Sequence, residues 1–337
     1  MWNNTKVLVT GGASFIGSHL VEHLVNKGAK IRVADNLSSG KLSNLAAVID
    51  HVEFMQGNLK ELHFSSKASN GCQVVFHLAA DHGGRGYIAT HPANCVTNMA
   101  LDNIVFETAQ KNGVERITFA SSACTYPTDI QEGKILLKED MVSFDKRGGA
   151  FSDEEYGWAK LMGELSLKAY YKQHGLKTSS VRIFTAYGPR ENESHAIIAL
   201  IAKAFIEQDP FEIWGTGKQS RNFTYVDDIV QGLVLSCEQI EDGSAVNAGT
   251  SDFISLTKAA ETVFEILDWK PTQIKYLKDK PVGVLHRAAD TSYAKATIGW
   301  QPTFSLEQGL KSTIDWYIKN NDHQKIEKKL KTLLMSR

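Results

Sequence analysis

Tyr156 and Lys160 stand in the run Tyr156-Gly157-Trp158-Ala159-Lys160, and on a helix this i, i+4 spacing turns a phenol and an ammonium to one face. A lysine beside a tyrosine favours the phenolate and lowers a pKa that is ordinarily near 10, which makes the pair a base able to take a hydroxyl proton. The same pattern is common on solvated helix faces, where it does no chemistry. Ser121-Ser122-Ala123-Cys124-Thr125-Tyr126-Pro127 supplies a second set of reactive groups. It follows a strand-like run, at the carboxyl edge where α/β sheets bind ligands, so the Ser122 hydroxyl can bond the substrate oxygen that Tyr156 deprotonates. Cys124 is either an inert buried thiol or a group that works on the substrate.

A cofactor site is written at the other end of the chain. Val7-Leu8-Val9-Thr10-Gly11-Gly12-Ala13-Ser14-Phe15-Ile16-Gly17 puts strand, Gly-rich turn and helix start in the order a dinucleotide fold requires. Gly11 allows the tight turn, the small Ser14 lets backbone approach a pyrophosphate, and Gly17 lets the helix pack close on the sheet. Asp35 ends the second strand roughly 20 residues further on, where a carboxylate accepts from a ribose 2′-OH and repels a 2′-phosphate. NAD is therefore favoured over NADP. Asn58, after the third strand, either accepts from an adenine amino group or closes an ordinary turn.

These groups work together only if the fold brings a turn, a strand end and a helix to one edge. β-Branched runs predict strands near 6–10, 30–34, 52–56, 73–78, 115–120 and 179–184, and helical periodicity predicts helices at about 15–27, 94–112 and 154–174. The alternation specifies an α/β fold, a Rossmann-type doubly wound parallel sheet, with a smaller interleaved substrate-binding domain after Gly188-Pro189. Residues 1–186 are read as the NAD-binding domain, with a strand near 244–250 returning to its sheet; 187–337 are mainly substrate-binding. The Lys-rich end, with Ile326, Leu330, Leu333 and Leu334 at helical spacing, reads as a solvated amphipathic helix.

Composition removes other classes. Across 337 residues, 37 Lys and Arg against 38 Asp and Glu give a net charge of −1, so no bulk field draws in nucleic acid or acidic membranes. The longest apolar run, Ala196 to Ala202, stops at Lys203, far short of the roughly 20 residues that span a bilayer. The N-terminus runs straight into a strand with no secretory pattern, so cytoplasmic residence is expected. Cys72, Cys95, Cys124 and Cys237 form no C-x-x-C pair and no metal-ligand cluster, so no metal site is expected.

Taken together the motifs resemble the extended short-chain dehydrogenase/reductase family, the NAD-dependent epimerases and dehydratases of nucleotide sugars. The matching residues are Thr10 to Gly17, His77-Leu78-Ala79-Ala80, Ser121-Ser122, Tyr156 with Lys160, Tyr187-Gly188-Pro189, Arg221 to Asp228, and Gly299-Trp300-Gln301-Pro302. The resemblance implies that Ser122, Tyr156 and Lys160 oxidise a sugar hydroxyl, usually at C4, with hydride passing to NAD. It also implies cofactor contacts from Phe15, Ile16, Asn36, Leu59, Leu78, Ala79 and Ala80, and a homodimer. Within the family the likeness is to members that invert C3 and C5 of a GDP-hexose, and it rests on Ala79 to Ile88, Ser121 to Pro127 and Phe211 to Gly215. In that chemistry a C4 ketone acidifies the hydrogens on C3 and C5, and Cys124, with an ordinary pKa near 8.5, takes and returns such a proton.

His195 stands where such relatives carry a second acid/base lysine; imidazole also transfers protons, although a histidine before an apolar helix is often a surface or capping residue. Gly84 and Arg85 fall in a loop expected over the sugar, and Thr185 replaces an asparagine near the diphosphate. Arg221 and Arg287 match diphosphate-clamping positions or are surface arginines. A UDP-hexose 4-epimerase shares Ser122, Tyr156 and Lys160 but needs no Cys124. A 4,6-dehydratase would carry Asp-Glu where this chain has Ala123-Cys124. A non-catalytic NAD-binding sensor has no use for the intact Ser122, Tyr156 and Lys160 set.

Overall fold

The computed structural model describes residues 1–142 and 152–336. Seven parallel strands form the main sheet in the order Asp242–Ala248, Lys177–Ile183, Arg116–Ser122, Val74–His77, Lys6–Thr10, Lys30–Asp35 and Val52–Gln56. The inner strands are nearly continuous in apolar residues because both faces are covered. Val7 and Val9 pack towards helices Phe15–Asn26 and Val226–Gln239, whereas Leu8 and Val75 pack towards Asn98–Lys111 and Glu154–His174. Chain order reverses between Lys6–Thr10 and Val74–His77, which opens a crevice at their carboxyl ends.

The strands fall where the sequence puts them, and so do the first and third helices. The helix expected over 94–112 is instead two segments, Pro92–Val96 and Asn98–Lys111. At the joint, the Thr97 hydroxyl donates to Asn94 O at 2.7 Å, and such a side-chain bond competes with the backbone ladder. The end helix runs His323–Ser336, with Ile326 and Leu330 buried; the side chains of Leu333 and Leu334 lie outside the described residues.

A smaller sheet orders Ile254–Ser255, Ser220–Arg221, His286–Ala289 and Leu136–Leu137, and Phe211–Trp214 pairs with Ile274–Leu277. Leu136–Leu137 leaves the first half of the chain to join this sheet. The two late motifs lock together beneath it. Trp300 donates its indole N–H to Asp228 O at 2.8 Å, and the Asp228 carboxylate accepts from Thr303 and Phe304. Among the described residues no helix is long and apolar enough to cross a membrane.

Candidate active site

A cavity of about 810 Å³ opens over the crevice and runs from the Gly-rich turn to the smaller sheet. Gly11, Ser14, Phe15, Ile16, Asp35, Asn36, Asn58, Leu59, Leu78, Ala79 and Ala80 line one end of it. Gly17 does not line it. A Cβ there would lie 2.2 Å from Gly11 O, so its hydrogen is what seats the helix against the turn. Gly11 itself has φ +67°, a left-handed conformation that opens the turn. The Ser14 hydroxyl turns back onto Gly11 O and leaves the helix start clear. Asp35 is buried at the end of its strand and accepts from Ala13 N at 3.0 Å and Leu37 N at 2.8 Å, one bond to each oxygen. Each oxygen keeps a second acceptor site, so the carboxylate that holds the turn can also take ribose hydroxyls. Asn36 and Asn58 both close local turns, onto Ser38 N and Lys60 N, while facing the same cavity. A narrow cradle, a helix N-terminus and a carboxylate at the second strand's end fit a dinucleotide.

Ser122, Cys124, Tyr156 and Lys160 meet in the middle of the cavity. Strand Arg116–Ser122 ends in a short 3₁₀ turn, Ala123–Thr125, which Ser122 caps by accepting from Cys124 N at 3.1 Å. Helix Glu154–His174 docks on that turn: Asp153 N donates to Cys124 O at 2.8 Å, and a Cβ on Gly157 would lie 2.2 Å from the same oxygen. The close approach brings Tyr156 against the Cys124 turn. Acidic Glu154 and Glu155 at the helix start, with Lys172 and His174 in its last turn, suit the helix dipole.

Lys160 Nζ donates to Ala120 O at 2.8 Å and lies 5.8 Å from the centre of the Tyr156 ring. The expected lowering of the Tyr156 pKa is not found in this ligand-free arrangement. Burial pushes the phenol well above 10, the charges of Cys124, Asp102 and Cys95 add to this, and a hydrogen bond with Ser122 opposes it. Desolvation outweighs one ammonium that is itself buried and pushed down.

Three arginines approach from the other side. Arg287 is almost enclosed and donates to Gln131 at 2.8 Å, Asp153 at 2.8 Å and Cys124 Sγ at 3.4 Å. It lines the cavity, but each of its nitrogens already bonds protein, so it is less open to a diphosphate than expected. Arg85 reaches Asp153 at 2.8 Å and also bonds Glu154. Among the described residues Arg221 has only backbone carbonyl partners, Val282 and Ser220 at 2.8 Å each, with Leu285 at 3.5 Å. Burial and the neighbouring Arg287 push Arg221 down to about 9, and the Asp153 charge offsets this only in part. Thr185 lines the same wall at the start of strand Thr185–Tyr187.

His195 lines the cavity in front of helix Ala196–Phe205, and its ring offers that helix no cap hydrogen bond. Its Nδ1 bonds the buried carboxylate of Glu191. Burial opposes protonation, but the Glu191 charge and hydrogen bond outweigh it and raise His195 above 6.5. His82 stands between His195 and Tyr156, with ring centres 5.1 Å and 5.6 Å away, and its accessible surface opens into the cavity. Desolvation, then the charges of His195 and Lys160, push His82 well below 6.5.

The sequence reading passed over His82, Asp153, Glu191 and Lys203. Lys203 is buried on the cavity wall, where its ammonium donates to Glu212 O at 2.7 Å and burial lowers it to about 8. A lysine ending an apolar run was a signal for it; His82 lay inside a quoted motif; nothing local marks Asp153 or Glu191.

The model of the NAD dependent epimerase/dehydratase family matches residues 7–249. A GDP-mannose 3,5-epimerase of Oryza sativa subsp. japonica is 32% identical over 328 residues, spanning 96% of this chain and 84% of that protein. A UDP-N-acetyl-alpha-D-glucosaminuronate decarboxylase of Bacillus cytotoxicus is 30% identical over 321 residues, 93% of this chain and 97% of that one. Among solved structures, the UDP-glucose 4-epimerase of Thermotoga maritima with UDP-glucose superposes with a TM-score of 0.83 at 28% identity, covering 94% of this chain and 99% of that one.

Proposed function

The chain belongs to the NAD dependent epimerase/dehydratase family, with NAD as its cofactor, and from that premise we propose that it epimerises a GDP-hexose at C3, C5 or both through a transient 4-keto sugar. The observation that carries this reading is that Cys124 and His195 share one cavity with Ser122, Tyr156 and Lys160. NAD, when bound, would supply the hydride acceptor for C4 oxidation. Gly11, Ser14, Asp35 and Asn58 would hold it. Tyr156 takes the C4 hydroxyl proton while Ser122 steadies the same oxygen, and Lys160 favours the phenolate from below. Once C4 is a carbonyl, Cys124 and His195 exchange protons at the neighbouring carbons, with Tyr156 and Ser122 hydrogen-bonding the enolate oxygen.

Arg221 is assigned to the diphosphate because its guanidinium lines the cavity and, among the described residues, bonds backbone carbonyls and no carboxylate. Lys203 and Glu212 are assigned to the base. A guanine offers acceptors at O6 and N7 to an ammonium and two adjacent N–H donors to a carboxylate; uracil offers a single N–H. A homodimer through helices Asn98–Lys111 and Glu154–His174 is part of this reading, supported by the exposed Met162 and Tyr171 on the second.

The second reading is a UDP-hexose 4-epimerase, favoured by the likeness to the Thermotoga maritima structure. Incubation with GDP-mannose and NAD in deuterated water, with UDP-glucose in parallel, separates the two. The first reading expects deuterium at C3 or C5 of the GDP sugar. It also expects Cys124→Ala to abolish that exchange while C4 oxidation survives, and Tyr156→Phe to slow both by about 10²- to 10⁴-fold. Full turnover in Cys124→Ala would hand the assignment to the 4-epimerase.

A further inference from the structure

Resting on His195 as a proton-transfer group, we propose that Glu191 is its positioning residue: it fixes the ring so that Nε2 alone serves the substrate, and it makes His195 the proton donor to the sugar. Glu191 is itself enclosed, with its side chain 2% exposed, whereas that of His195 is 24% exposed. A carboxylate at that depth needs a hydrogen-bonded partner to remain ionised. Its Oε1 bonds His195 Nδ1, and its Oε2 has no partner among the described residues. The pair is therefore mutual, with no third group sharing the charge. Nδ1 is committed to Glu191, and Nε2 has no hydrogen-bond partner among the described residues. A carboxylate on one ring nitrogen that leaves the other free for reaction is the division of labour found in histidine general acids and bases.

The rest of the segment holds this geometry from both sides. Arg190 bonds Ser18 at 3.1 Å and Glu22 at 2.6 Å on the first helix. Glu193 accepts from Tyr317 at 2.7 Å and from Lys329, on the last two helices. Glu191, between these anchors, turns inward. The titratable groups facing the ring are Glu191 from its own segment and His82 from the segment after the fourth strand; Gly84, against Cδ2, carries no charge. Of the two rings, His195 is the one bonded to a carboxylate among the described residues.

The opposite arrangement holds at Cys124, where the Arg287 guanidinium lies 3.4 Å from the sulfur. An anion behind the imidazole and a cation beside the thiol give the two groups different tasks. Removal of the ring hydrogen breaks a C–H bond, forms S–H and sends the electron pair into the enolate. Return breaks Nε2–H on His195, forms the new C–H bond and leaves a neutral ring still bonded to Glu191. Water then takes the thiol proton and restores the imidazolium.

The test reads the full chain without substrate, so it stands or fails separately from the epimerase reading. In ¹⁵N-histidine spectra, His195 should titrate above 6.5 with its proton exchanging at Nε2, and Glu191→Gln should lower that midpoint by about one pH unit or more. With GDP-mannose and NAD, Glu191→Gln should cut deuterium entry at C3 and C5 about tenfold or more, with KM and C4 oxidation unchanged. Glu191→Asp should recover part of both. An unmoved midpoint in Glu191→Gln overturns the proposal. If that variant does not fold, Glu191→Asp decides: a midpoint between wild type and 6.5 supports the pairing, and one equal to wild type refutes it.

Discussion

Arg182 is buried and Arg221 partly so, yet the fold treats them in opposite ways. Arg182, behind the sheet, uses all three nitrogens: two bonds at 3.0 Å and 2.8 Å go to Glu164, and the remaining nitrogen reaches Tyr126 at 3.2 Å and Glu139 O at 2.9 Å. Glu164 in turn accepts from Ser121, so the charge pair is closed on all sides. Arg221, on the cavity wall, meets carbonyl dipoles alone. A charge held from water without an opposite charge bonded to it is costly, which is the ground for the proposal that Arg221 receives an anion. Completeness of pairing is what distinguishes the two arginines.

Histidines divide along the same line. His19 Nε2 donates to Pro189 O at 3.0 Å, and the ring lines no part of the cavity; burial and the Arg190 charge lower it to about 4. His195, with a carboxylate behind it, moves the other way.

The contrast breaks first at Glu164. Glu164→Ala should destabilise the protein by about 3–5 kcal/mol, because it leaves Arg182 buried and unpaired. Thermal unfolding measures this, and Glu164→Leu with Arg182→Met should recover much of the loss. A single variant as stable as wild type would refute the closed-pair account. Next comes Arg221→Gln, expected to weaken nucleotide-sugar binding about tenfold or more, with a much smaller change in apo stability than Glu164→Ala. Calorimetry and a melting curve on the same sample give both numbers. An unchanged Kd would return Arg221 to a structural role.

The smallest effect concerns His19. Its folded pKa lies below the unfolded 6.5, so between pH 6.5 and about 4 the unfolded chain binds the extra proton. This contribution to stability is complete above 6.5 and is lost as pH falls through that window. Denaturant midpoints at pH 7 and pH 5 should differ less in His19→Gln than in wild type. An equal difference would show that another group controls the acid limb.

Much of the fold is legible in the chain because it is local. Apolar strands, the helix periods and the Gly-rich turn are properties of neighbouring residues, and each expected strand of the sheet's first half lies where its pattern puts it. That the Gly-rich turn and Asp35 line one cavity follows for the same reason. Arg287 was less legible: its type suits phosphate, but its partners Gln131, Asp153 and Cys124 arrive from distant segments and take its donors. For Tyr156 the i, i+4 ammonium is visible in sequence, whereas the depth of burial that pushes the phenol up is not.

The sequence by itself determined the order of strand, turn and helix, the carboxylate that ends the second strand, and the chemical types of the groups proposed as catalytic. These follow from spacing along one backbone. Only the tertiary structure decided that His82 stands between Tyr156 and His195, that Arg287 serves a sulfur, and that Glu191 faces inward rather than to solvent. The reason is that desolvation and pairing depend on what surrounds a group in three dimensions, and those neighbours come from elements far apart in the chain.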